Sequence, residues 1–574
     1  MPNPIRVRLF WPLLALLFAA SPSYAQSIRV SGADGALERN IRAHVGLPSF
    51  NCDTSTQRLS RQLPDVRSKL LRASSALGYY QLTHEVSFSK DDTCWILDIS
   101  VVPGEAVFIG SINIDILSRS DLFGQATGTS QLAPGDQLNH GRYEQIKTNL
   151  SSRAIELGFF SARFISSEIL LDLEKNLAAI NISFDPGTHY RFGEISITPI
   201  DELSDEFIRR LVELGDEDFY SSSALIELRN QLSDSQYFND ITVTPDIESL
   251  GEDEVPIQVA LQMLPQRVYT AGVGITTDIG PRVRGDYSNR YLNKKGHKVT
   301  AAAGISPLEQ QLDLSYVIPM RRPAIDKLRI SAGILRENND TFDSTTSRLG
   351  IRYETINRWN WRQSWFSNLQ NDRYRINDED ESSNLLIIGN NLTRTVADDA
   401  LYPERGWRLF GQIQGASESL LSTETFGQLN LSAKAVQAFG PGRFIARATL
   451  GATWTNNLAG LPVSVQYFAG GDQSIRGYQY QSLGPLNQDG EVTGGKHLLT
   501  AGIEYDFNIL PNWKLALFAD SGNAFSDFSE VQFKTGAGMG VRWLSPIGPV
   551  RVDIASALDD DNKLRLHITM GPEF

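Results

Sequence analysis

Two apolar rhythms divide the chain. Up to about residue 264, helical stretches such as YEQIKTNLSSRAIEL, with apolar positions at i, i+3, i+4 and i+7, are interleaved with short period-two runs. Three passages answer to one another: ALGYYQLTHEVSF from Ala76, ELGFFSARFISSEI from Glu156 and DSQYFNDITVTPDI from Asp234. Each contains an aromatic pair (Tyr79-Tyr80, Phe159-Phe160, Tyr237-Phe238) and then alternates apolar with polar residues. PGEAVFIGSINI from Pro103 matches PGTHYRFGEISI from Pro186 and supports the same period. The unit is about 80 residues, ordered strand, helix, helix, strand, strand, and its three copies occupy residues 26–103, 104–187 and 188–264. Such a unit lays two helices on one face of a small sheet, whose open edge can accept an extended segment.

From Pro265 to the end, residues 265–574, the helical rhythm fades and period-two alternation takes over. VYTAGVGITTD from Val268 puts Tyr269, Ala271, Val273 and Ile275 on one face and Thr270, Gly272, Gly274 and Thr276 on the other. KLRLHITM from Lys563 sets Leu564, Leu566, Ile568 and Met570 against Lys563, Arg565, His567 and Thr569. One apolar and one polar face, repeated between turns, is the signature of an outer-membrane β-barrel. About 310 residues at roughly 19 per strand and turn give about 16 strands, an even number as bacterial barrels require. Seven of the nine tryptophans fall in this half, as interfacial girdles would use them.

Composition sharpens the compartment. Arg6 and Arg8, the apolar run Leu9 to Ala20 and Ser23-Tyr24-Ala25 read as a signal peptide over residues 1–25. The two cysteines, Cys52 and Cys94, are expected to form one disulfide in an exported protein. The histidines are scattered without metal-ligand spacing, so no metal is expected. A formal net charge of -14 argues against nucleic acid as a partner. No catalytic constellation is visible, and neither an enzymatic activity nor a cofactor is expected. GAGMGVRW, from Gly536 to Trp543, lacks the following helix of a dinucleotide loop. Its glycines share one strand face, which predicts that something bulky lies close.

FAGGDQSIRGYQYQSLGP from Phe468 and GVRWLSPIGPVRVDIA from Gly540 resemble the two hallmark motifs of the BamA/TamA outer-membrane assembly superfamily. The three repeats resemble its POTRA domains, so the resemblance covers essentially the whole mature chain. It implies three βααββ POTRA domains in the periplasm, followed by a 16-stranded antiparallel transmembrane β-barrel in the bacterial outer membrane. It further implies that the chain helps insert or secrete β-barrel clients such as autotransporters. The expected partners are unfolded outer-membrane proteins, outer-membrane lipid and an inner-membrane-anchored periplasmic protein of the TamB kind.

In such families the sixth loop folds into the barrel and its motif arginine packs against acidic residues of the inner wall. Arg476 matches that arginine, flanked by Gly477 and Tyr478, and Glu504 and Asp520 match the acidic positions. The functional surface is expected at the seam between the first strand, about Val268 to Asp278, and the last, about Lys563 to Gly571. Gly272 and Gly274 weaken the first strand. On the last strand, which carries Ile568, Gly571-Pro572 ends the ladder early. A secretion pore that passes substrate through the lumen is the alternative reading, and single-channel conductance separates the two.

Overall fold

The computed structural model describes residues 27–574 except 47–51, 91–93, 129–131, 213–217, 377–378, 400, 530, 546–547, 561–563, 572 and 574. The predicted signal peptide, Lys563 and Pro572 lie outside the described residues. No helix among the described residues is long and apolar enough to cross a membrane.

The N-terminal part holds three small three-stranded sheets. In the first, β1 (Ser27–Ser31) runs parallel to β3 (Trp95–Val102), and β3 pairs antiparallel with β2 (Thr83–Lys90). Helix α1 (Gly35–Val45) buries Leu37, Ile41 and Val45, one face at i, i+4 and i+8. After the short α2 (Thr56–Ser60), α3 (Leu63–Ser75) buries Val66, Leu70 and Ala73 in the same core. Cys52 and Cys94 are joined in a disulfide that ties the α1–α2 connection to the start of β3, next to the buried Trp95.

The second module repeats the plan. It has β4 (Phe108–Ile116), α4 (Gly124–Gly128), α5 (His140–Glu156), β5 (Arg163–Asp172) and β6 (Leu177–Asp185), with sheet order β4-β6-β5. Asn139 caps α5 by accepting the Arg142 N–H at 3.2 Å. The third module consists of β7 (Arg191–Ile197), α6 (Asp205–Leu211), α7 (Ser222–Asp234), β8 (Phe238–Pro245) and β9 (Glu254–Met263), with sheet order β7-β9-β8.

The paired aromatics have divided duties. Tyr79 packs on the core of its own module, whereas Tyr80 packs on that of the next and shares a 2.6 Å hydrogen bond with His140. Phe159 is buried in the second module's core, and Phe160 lies 4.9 Å from the Tyr220 ring. Each pair follows a left-handed backbone step, at Gly78 (φ 84), Gly158 (φ 83) and Gln236 (φ 62). A Cβ on Gly78 would come within 2.9 Å of the Leu138 carbonyl oxygen, so glycine is what allows that close approach.

The second compact region contains a 16-stranded sheet in which strands neighbour one another in chain order, from β10 (Arg267–Thr276) to β25 (Leu564–Met570). Every neighbouring pair is antiparallel. Outward side chains are apolar and exposed, among them Val273, Ile334, Ile503, Leu517 and Ile554. Within this unit, Tyr237 donates to the Gly296 carbonyl, and Lys298 Nζ sits 4.2 Å over the Tyr237 ring. The third module thus meets the turn before the third barrel strand directly.

Candidate functional site

Strands β20 (Gly442–Thr455) and β21 (His497–Leu510) are joined by the long loop 456–496. Its middle turns back inside the barrel, where Asp472, Ile475, Arg476 and Tyr478 are buried. Gly477 makes the passage possible: its φ is 100°, and a Cβ there would lie 2.9 Å from the Ala557 nitrogen. The Tyr478 hydroxyl reaches the Thr535 carbonyl at 3.5 Å.

Arg476 meets three strands at once. Its Nε donates to Asp520 Oδ2 at 2.7 Å, on β22 (Trp513–Phe525), and its Nη1 to Glu504 Oε2 at 2.7 Å, on β21. Nη1 also reaches Asp553 Oδ2 at 3.1 Å, on β24 (Gly548–Ala557), and the guanidinium lies over the Phe518 ring at 3.4 Å. Two further arginines share these acids. Arg447 pairs with Asp520 at 2.9 Å, and Arg542, on β23 (Lys534–Ser545), pairs with Glu504 at 2.8 Å and with Asp553. Three arginines facing three carboxylates make a buried, charge-balanced cluster. Fork-shaped donors on carboxylates fix geometry as well as energy.

Glycines make room for it. Asp520 stands opposite Gly502 on one neighbouring strand and Gly536 on the other, and Asp553 stands opposite Gly540. A Cβ on Gly536 would overlap the Arg476 carbonyl oxygen, and one on Gly540 would overlap Asp553. The bulk expected over the GAGMGVRW face is therefore the returning loop and its ion cluster, with Phe518 and the Ile554 carbonyl over Gly538.

At the seam the picture reverses. Strands β10 and β25 end the sheet and form no ladder with each other. Among the described residues, one backbone bond crosses, from Thr277 N–H to the Ile568 carbonyl at 3.2 Å, while Ile568 N–H donates to Thr277 Oγ1 at 3.1 Å. Nothing lies within 4 Å of a Cβ built on Gly272 or Gly274, and Val273 is 84% exposed. The last strand stops at Met570, and Gly571 takes a φ of 147°. The chain then turns inward, so that Glu573 is buried with Arg443 at 2.9 Å, Arg551 at 3.2 Å and Lys434.

Asp278, Asp472 and His567 converge beside the seam with ligand atoms within 4.8 Å of one another. Gly477 N–H donates to His567 Nε2 at 2.9 Å, so the imidazole proton sits on Nδ1 and is given to Asp472. Both ring nitrogens are thus engaged in hydrogen bonds.

Residues 292–574 match the Omp85 superfamily domain, residues 27–103 match POTRA domain TamA domain 1, and residues 190–262 match the surface antigen variable number repeat. Residues 292–574 are thus an Omp85 superfamily domain. It is 25% identical to the outer membrane protein assembly factor BamA of Nitratidesulfovibrio vulgaris over 600 residues, covering 96% of this chain and 73% of that protein. With BamA of Neisseria meningitidis serogroup B it shares 20% identity, covering 87% and 71%. A crystal structure of BamA from Haemophilus ducreyi lacking POTRA domains 1–3 superposes with a TM-score of 0.65 at 15% identity, covering 81% of this chain and 99% of that one. Like other Omp85 barrels with N-terminal POTRA domains, the protein resides in the outer membrane with its arm in the periplasm.

The structure brings Arg476, Gly477, Tyr478, Glu504 and Asp520 together, and places Gly272, Gly274, Ile568 and Gly571 along the seam. Sequence reasoning passed over Asp553, Arg447, Arg542 and Glu573. The signal for Asp553 was present: it is the charged residue between Val552 and Ile554 in an alternating strand. Arg447 and Glu573 carried no such mark, because partners in sequence-distant strands define them.

Proposed function

We propose that the protein is a TamA-type assembly factor, which hands β-strands of unfolded clients such as autotransporters into the membrane through the β10/β25 seam. The observation that carries this reading is the seam, held by one backbone bond among the described residues and otherwise offering free strand edges. A free edge templates an incoming strand. The match of residues 27–103 to a TamA POTRA domain, together with three POTRA modules, supports the TamA type over other members. In this reading the arm docks a TamB-like, inner-membrane-anchored periplasmic partner. Arg476, Gly477, Tyr478, Glu504 and Asp520 act as a structural latch that keeps the lumen filled.

The test replaces Thr276 and Thr569, set opposite each other by the Thr277–Ile568 contact, by cysteine and oxidises the pair in proteoliposomes. The expected result is loss of client assembly, restored by reductant; full assembly with the staple closed would sink the reading. A cavity of about 510 Å³ on the inner wall, whose lining includes Arg284, Gln311, Ser331 and Arg348, favours the second reading, a secretion pore of the two-partner type. Single-channel recording separates them: a latched lumen gives small flickering currents, an open pore large steady ones.

A further inference from the structure

The latch cluster and the seam are joined by a second set of contacts that the ion cluster does not require. Asp472, from the returning loop, is 6% exposed. Its carboxylate accepts from Thr277 Oγ1 at 3.0 Å, just past the end of β10, and from His567 Nδ1 on β25. Its own backbone N–H donates to Asp278 at 2.9 Å. The loop backs directly onto that turn, since a Cβ on Gly471 would lie 2.9 Å from the Asp278 carboxylate. Five residues further along, Gly477 N–H donates to the other nitrogen of His567. The same Thr277 hydroxyl that reaches Asp472 accepts the Ile568 N–H of the last strand.

Loop 456–496 therefore grips both edges of the seam: the first strand through Thr277 and Asp278, the last through His567. We infer that the loop is a clasp on the seam, with Asp472 as the positioning residue that holds the first and last strands together at their outer end. Strand pairing contributes little to that closure, because the ladder is absent and one backbone bond crosses among the described residues. The Arg447 guanidinium binds the Asp472 carbonyl at 3.1 Å and Asp520 at 2.9 Å, which ties the clasp to the ion cluster. Release of the loop and opening of the seam then become a single event. This inference rests on the reading of β10/β25 as the working seam, and it says what keeps that seam shut.

The experiment uses the full chain in lipid nanodiscs, with spin labels on Val273→Cys and Leu566→Cys, both outward-facing positions. The native cysteines are bonded to each other and take no label. Electron–electron distance measurement reads the seam spacing. Asp472→Ala and His567→Phe are expected to raise the open population about tenfold, the size of one lost charge-assisted hydrogen bond. His567→Gln is the discriminating variant, since its amide offers one donor for Asp472 and one acceptor for Gly477 N–H. It is expected to keep the seam closed. An unchanged distance distribution in Asp472→Ala, or a seam as open in His567→Gln as in His567→Phe, would overturn the clasp. Where Asp472→Ala fails to fold, Thr277→Val removes the hydroxyl alone and gives the same reading. Client insertion is measured on the same samples. An opened seam with unaltered insertion speaks against the assembly reading and leaves the clasp intact, whereas a shut seam in Asp472→Ala removes the clasp whatever insertion does.

Discussion

The wall made by β20–β24 and the first strand β10 belong to one continuous sheet, yet glycine means opposite things in the two. On β23, Gly536 and Gly540 are covered: the loop carbonyl of Arg476 and the Asp553 carboxylate occupy the space a side chain would take. On β10, Gly272 and Gly274 face nothing within 4 Å. The first pair is there because something must come close, and the second lies in a strand with nothing to pack against. The charge distribution follows the same division, with buried arginine–carboxylate pairs gathered on β20–β24 and, among the described residues, one backbone bond between the two seam strands. One barrel thus combines a wall cross-linked by buried ion pairs with a first and last strand that form no ladder with each other. The lesson is that a motif's composition does not reveal its role until its neighbours across the strand are known.

The largest effect is expected from Asp520→Ala. It removes the carboxylate that Arg476 and Arg447 share and leaves Arg476 with Glu504 and Asp553, a loss of about 3 kcal/mol by analogy with broken buried ion pairs. Urea unfolding in lipid, followed by the gel-mobility shift of the folded barrel, reads it. Gly272→Ala, set in open space, should stay within about 0.5 kcal/mol in the same assay. Equal losses at both sites would erase the contrast. Next comes Gly536→Val, which forces the returning loop off its strand at a cost of about 1–3 kcal/mol for overpacking. New protease cuts within 456–496 should appear, while Gly274→Val leaves the loop protected.

Much of this architecture was legible from period alone. The switch from 3.6 to 2 near Pro265 marks where the modules end and the barrel begins, and β10 and β25 lie within about two residues of their expected bounds. Arg476, Glu504 and Asp520 could be named because they match positions in the motifs of the family the sequence resembles, and each acid falls on the face opposite an apolar row. The clasp was not legible. Asp472 sits inside the same motif, but its partners, Thr277 and His567, are contributed by the two ends of the barrel, 195 and 95 residues away. Nor did the paired aromatics announce that one ring serves its own module and the other the next. Local pattern reports which face is buried, and only the fold reports against what.

A smaller effect is expected at the inner end of the seam. Glu573, beyond β25, is held by Lys434, Arg443 and Arg551, which keeps its side chain buried. Glu573→Gln keeps the shape and removes the charge, which should cost about 1–3 kcal/mol. It should also free the terminus, so that carboxypeptidase shortens the variant and spares the parent. If the terminus stays protected, the ion pairs are not what holds it.

The mildest expected effect lies in the arm, where His140 meets Tyr80 across the first joint at 2.6 Å. Burial lowers the His140 pKa, a shift only partly opposed by the nearby Glu144 carboxylate. His189, stacked between Phe159 at 4.3 Å and Phe219 at 4.0 Å, is lowered in the same way, with Arg119 and Arg191 adding to the effect. A histidine whose docked-state pKa lies below its free value takes up its proton more readily once undocked. The joint is therefore at full strength above about pH 6.5, the ordinary histidine value, and weakens as pH falls below it. Small-angle scattering of the full chain in nanodiscs should show the arm gaining conformational spread between neutral and mildly acidic pH. His140→Gln should reduce that slope, since its amide does not titrate, while leaving the seam spacing unaltered. A slope of the same size in His140→Gln would move the pH response away from this joint, and with it the idea that the arm bends where a half-buried neutral imidazole sits between modules.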